Sequence, residues 1–87
     1  MGKQEKLLIQ ILKGQSDANI NFQDLVRLMQ KFGFDKRVSG GHHIFRKEGV
    51  LEKINLQKEG SKAKPYYQVR QVRNIILKYK LGVKSNG

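Results

Sequence analysis

The sequence predicts an α+β domain: two helices, a three-stranded antiparallel meander and a closing helix. Three observations carry that reading. Hydrophobic residues recur at helical spacing near both ends of the chain, the period shortens to about two between residues 35 and 57, and glycines mark the transitions.

Leu7, Leu8, Ile11 and Leu12 form one stripe, with Lys6, Gln10 and Lys13 on the other side. This predicts a first helix over residues 3–13, stopped by Gly14. Residues 15–20 read as a polar connection. Asn21 with Asp24 has the form of a helix cap followed by an acid in the first turn. Phe22, Leu25, Val26, Met29 and Phe32 then mark a second amphipathic helix, ended by Gly33. Arg37-Val38-Ser39 and His42–Phe45 read as two strands around a Gly40-Gly41 turn. Glu48-Gly49 supplies another turn. Residues 51–57 form the third strand, with Ile54 and Leu56 on one face and Lys53, Asn55 and Gln57 on the other. Residues 58–64 read as a cationic loop. Pro65 suits a first helical turn, and Val69, Val72, Ile76 and Tyr79 stripe the last helix. Arg70, Arg73, Asn74 and Lys78 fall on its opposite side. Residues 82–87 are expected to be a frayed tail.

With 87 residues the chain is expected to form one domain. Its 18 Lys and Arg against 7 Asp and Glu give a formal charge of +11, spread along the chain. Such a balance points to an anionic partner, most often nucleic acid. The absence of cysteine excludes disulfides, thiolate catalysis and Cys-ligated zinc, and suits a reducing cytoplasm. No apolar run approaches the ~20 residues of a membrane span, and the start, Met-Gly-Lys-Gln-Glu-Lys, lacks the apolar core of a secretory signal.

Within this frame one stretch carries chemistry: Gly40-Gly41-His42-His43-Ile44-Phe45, preceded by Lys36 and Arg37. This stretch, together with Phe32-Gly33-Phe34, Ile54–Gln57 and Lys64-Pro65-Tyr66-Tyr67-Gln68-Val69-Arg70-Gln71, resembles the HicA-type (YcfA-like) toxins of bacterial type II toxin–antitoxin systems. The resemblance covers roughly residues 21–81. It implies a double-stranded-RNA-binding-domain-like α-β-β-β-α fold, a two-layer sandwich to which residues 1–20 add an N-terminal helical extension. It also implies ribosome-independent mRNA cleavage in the cytoplasm and neutralisation by a HicB-type antitoxin. The family's catalytic histidine directly follows the glycine or Gly-Ser pair, which places it at His42. Many members have Ser before that histidine; this chain has Gly41.

RNA supplies its own nucleophile, the 2′-hydroxyl, so cleavage needs no metal or other cofactor. Histidine can take or give the proton, and Lys and Arg can hold the phosphate oxygens. His42 is the candidate general acid/base. Lys36, Arg37, His43, Arg46, Lys62, Lys64 and Arg70 are the candidate RNA contacts. Successive strand residues point to opposite faces, so His42 and His43 are not expected to serve one phosphate. Parity leaves the facing of His42 open: if Ile44 is core, His42 turns toward the packed layer. The bland readings stand beside these. A strand histidine is ordinarily structural or solvent-exposed, and the Arg70, Arg73, Lys78 stripe equally suits a solvated helix face. A non-catalytic double-stranded-RNA-binding module and a small ribosome-associated protein are the alternative functions, neither needing a histidine after the glycine pair. The free chain is expected to be a monomer.

Overall fold

The computed structural model describes residues 2–64 and 67–82, with the backbone alone at 64 and 67. Three α-helices and a four-stranded antiparallel sheet make an α+β domain. Helix α1 spans Lys3–Lys13. Gly14 ends it in the left-handed conformation (φ 70°), and its N–H reaches the Gln10 and Ile11 carbonyls. A single 3₁₀ turn at Asp17–Asn19 lies within the expected polar connection. Helix α2 spans Phe22–Lys31. The Asn21 side-chain oxygen accepts from the Asp24 N–H at 3.0 Å, satisfying one of the free donors at the helix start.

Strands β1 (Asp35–Ser39) and β2 (His42–Arg46) form a hairpin closed by Gly40-Gly41, with Ser39 opposite His42. Gly40 takes the positive φ (60°) that such a two-residue turn demands. Strand β3 (Ile54–Glu59) pairs with β2, setting His43 opposite Leu56 and Phe45 opposite Ile54. It starts three residues later than the sequence pattern suggested and runs two residues further.

The sequence reading of residues 58–64 as a loop is corrected. After a turn at Gly60-Ser61 the chain returns as β4 (Lys62–Lys64), giving the order β1-β2-β3-β4. This short strand is held on both edges. It pairs with β3, while the Ala63 N–H donates to the Ile20 carbonyl at 3.0 Å and the Phe22 N–H donates to Ser61 at 2.9 Å. Pro65 and Tyr66, the expected start of the last helix, lie outside the described residues, as do tail residues 83–87. Helix α3 is described over Tyr67–Tyr79.

The helices cover one face of the sheet. Phe45, Ile54, Leu56 and Ala63 from the strands meet Phe22, Leu25, Met29, Val69, Val72 and Ile76 from α2 and α3. Leu7 and Ile11 of α1 are buried in the same cluster, so residues 3–13 contribute to this core. The Arg73 side chain, for which a solvated face was one of two readings, is only 16% exposed. It grips the Asp17 carboxylate at 2.9 and 3.1 Å and donates to the Ile11 carbonyl at 3.1 Å, tying α3 to the end of α1. The β2–β3 connection is anchored at Glu52, which accepts from Lys78 at 2.8 Å and from the Tyr79 hydroxyl at 2.6 Å. Those two donors hold the Glu52 carboxyl at about 2, well below its ordinary value. No helix among the described residues is long and apolar enough to cross a membrane.

Candidate functional site

Strand alternation sends the two adjacent histidines to opposite faces. Phe45 is the core residue of β2, at 0% exposure. His43 shares its parity and turns toward the helices, where its ring meets Phe22 edge-on at 4.7 Å between centroids and 70° between planes. His43 Nδ1 is enclosed and has no hydrogen-bond partner among the described residues. Burial lowers the His43 pKa below its ordinary value, and the charges of Lys36 and Lys58 push the same way, against the pull of the Leu56 backbone. Ile44 is therefore not the core residue of this strand. His42 shares its parity and projects from the open face of the sheet, exposed to solvent.

The antiparallel register builds the surroundings of His42. Because His43 faces Leu56, His42 faces Gln57 across the β2–β3 ladder, and Asn55 sits opposite Ile44 on the same open face. Both amides reach one ring atom: His42 Nδ1 lies 3.1 Å from Asn55 Oδ1 and 2.9 Å from Gln57 Nε2. Nε2 has no hydrogen-bond partner among the described residues, and the residue is exposed. The order Ser39, His42, Gln57, Lys64 thus crosses all four strands in one backbone row.

Next to this row is an open groove of about 590 Å³, lined by Ile44, Arg37, Arg46, Lys53, Lys36 and Asp35. Two residues along a strand is roughly 6.4–6.8 Å, which sets the spacing between His42 and Ile44 on the open face. Four cations around one acid give the groove an excess of positive charge. Among the described residues no three His, Asp or Glu side chains come together as a metal-binding group.

The structure gathers some of the sequence candidates and disperses others. Arg37 and Arg46 lie on the open face with His42, and Lys36 lies on the exposed edge strand beside them. His43 belongs to the packed side. Lys62 sits in β4 with its amine on Asn19 Oδ1 at 2.8 Å. Lys64 is placed by its backbone at the end of the His42 row. Arg70 is exposed on α3, in the helical layer on the far side of the sheet. Lys53, Asn55 and Gln57 escaped the sequence reading as site residues, although their shared parity opposite Ile54 and Leu56 was visible there. No family model, curated protein or solved structure matches the chain.

Proposed function

We propose that this chain is a metal-independent endoribonuclease, the toxin of a type II toxin–antitoxin pair, acting in the cytoplasm on mRNA. The carrying observation is the exposed His42, contacted at Nδ1 by two amides and with no partner at Nε2 among the described residues, beside a cationic groove on the open sheet face. The reaction needs one proton carrier. His42 Nε2 takes the 2′-hydroxyl proton as O2′ bonds to phosphorus. The bond from phosphorus to O5′ breaks, and the same proton passes to O5′. The products are a 2′,3′-cyclic phosphate and a free 5′-hydroxyl, with no water consumed. Arg37, Arg46 and Lys53 offset the charge that gathers on the non-bridging oxygens.

The HicA resemblance supports this reading through the residues around Gly41-His42. A double-stranded-RNA-binding-domain-like classification fits the order α2-β1-β2-β3-α3, to which this chain adds α1 and β4. The regulator is a HicB-type antitoxin whose acidic side chains meet the same cations, giving fast, salt-sensitive association.

The test is cleavage of a long transcript in excess EDTA, with end analysis. Cyclic phosphate or 3′-phosphate termini are expected, together with growth arrest on induction. Strict magnesium dependence with 3′-hydroxyl ends overturns the mechanism. RNA binding with no cleavage under any condition leaves a binding module in its place.

A further inference from the structure

The two amides that meet at one nitrogen of His42 have opposite demands. Asn55 Oδ1, at 3.1 Å, can only accept, so it favours a proton on Nδ1. Gln57 Nε2, at 2.9 Å, can only donate, so it favours a bare Nδ1 and hence a proton on Nε2. A neutral imidazole carries one proton and satisfies one of them at a time. We propose that Asn55 and Gln57 are antagonistic positioning residues that set the His42 tautomer, Asn55 selecting the form competent to start RNA cleavage and Gln57 the form that cannot. This rests on the reading of His42 as the proton carrier.

The one-histidine cycle fixes which tautomer matters. Uptake of the 2′-hydroxyl proton requires a lone pair on Nε2, so the starting ring must carry its proton on Nδ1. The ring becomes an imidazolium with both nitrogens protonated, then returns the Nε2 proton to O5′. Nδ1 keeps its hydrogen throughout, and Asn55 Oδ1 can accept it at every stage. The hydrogen bond from Gln57 holds only in the other neutral tautomer, where Nε2 is already protonated and is no base. Both amides come from β3 on the open face, two residues apart, so the β2–β3 register aims them together.

The experiment measures tautomer and rate separately on the full chain. Imidazole ¹⁵N shifts report the His42 tautomer at alkaline pH, and single-turnover cleavage of a single-stranded ribo-oligonucleotide reports the chemistry. Asn55→Leu is expected to move the ring toward the Nε2-protonated form and slow cleavage by at least about tenfold, a part of the 10²–10⁴ that general acid–base catalysis contributes. Asn55→Asp keeps an acceptor and is expected to restore the Nδ1-protonated form. Gln57→Leu is expected to move the ring the opposite way and raise the rate. Equal losses in the Leu variants, or a tautomer that neither changes, overturn the inference. Because the ¹⁵N shifts need no RNA, they decide the tautomer assignment even if His42→Ala still cleaves, the outcome that would instead remove His42 from the chemistry.

Discussion

His42 and His43 are one peptide bond apart, and the sheet assigns them different chemistries. His43 packs on Phe22 with an enclosed Nδ1 that has no partner among the described residues, beside residues that hold the fold together. His42 stands in solvent with two amides at Nδ1, on the face of the sheet that the helices do not cover. The lesson is general to thin two-layer domains. One face of the sheet is committed to burial, so polar and cationic side chains can collect on the other without disturbing the core. Residue type does not separate the two histidines; strand parity and the covering helices do.

The widest separation is expected from removing each ring in turn. His42→Ala should lower RNA cleavage by roughly 10²–10⁴-fold while shifting stability by no more than about 0.5 kcal/mol, since the side chain is exposed. Single-turnover cleavage and thermal melts of the same preparation check both halves. Wild-type cleavage by this variant would remove His42 from the chemistry, and a large loss of stability would deny that the open face is independent of the core.

His43→Ala should reverse that profile, costing about 1–2 kcal/mol through lost packing on Phe22. Cleavage per folded molecule should stay close to wild type. His43 also gives the fold a pH dependence. Its folded pKa is lowered, so below the ordinary value of 6.5 the unfolded chain binds more protons than the folded one. Stability is therefore fully present above about 6.5 and falls as the pH drops through the lowered folded value. His43→Leu keeps an apolar side chain there without the titration, and its melting temperature should be flatter with pH across that window. Equal acid sensitivity in both proteins would place the titrating group elsewhere.

How much of this division could be read in advance varies along the chain. The opposite facing of the histidines follows from the period of a strand. Which one faces out does not, because Ile44 and Phe45 are both apolar and adjacent. The helices choose Phe45, and only packing reveals that. Helices α1 and α2 were legible from their stripes and caps. Strand β4 was not, because Lys62-Ala63-Lys64 is too short to show a period and is held by partners from residues 20–22 and β3. Asn55 and Gln57 looked like ordinary solvent-side residues until the register brought them to His42. Arg73 looked like surface until the 3₁₀ turn brought Asp17 to it.

On the open face the groove cations should act through affinity. Arg37→Gln and Arg46→Gln each remove one cation from its lining. If each holds a phosphate of single-stranded RNA, each should weaken binding about equally across sequences and lower the slope of log affinity against log salt by about 0.7. The measurement is fluorescence anisotropy of a labelled ribo-oligonucleotide on the His42→Ala background, with salt varied. Arg70→Gln is the contrast, since Arg70 lies in the helical layer. An equal loss of slope there would mean that RNA also engages the other side of the molecule.

The smallest effect is expected at the tip of the hairpin that aims His42. A Cβ added at Gly41 meets nothing within 4 Å, and the positive φ of this turn falls on Gly40. Gly41 therefore needs neither the space nor the backbone freedom that glycine offers. Gly41→Ser should fold normally and could gain up to about 0.4–1 kcal/mol by restricting the unfolded chain. Gly40→Ser should lose stability, because its φ of 60° strains a side chain although space is open. Cleavage by Gly41→Ser should stay within about twofold of wild type, since the new hydroxyl leaves Nδ1 of His42 between Asn55 and Gln57. Melting curves and cleavage rates for the two glycine variants decide it. A destabilised Gly41→Ser protein would show that the turn carries its strain one residue later, and the direction of His42 would then depend on both glycines.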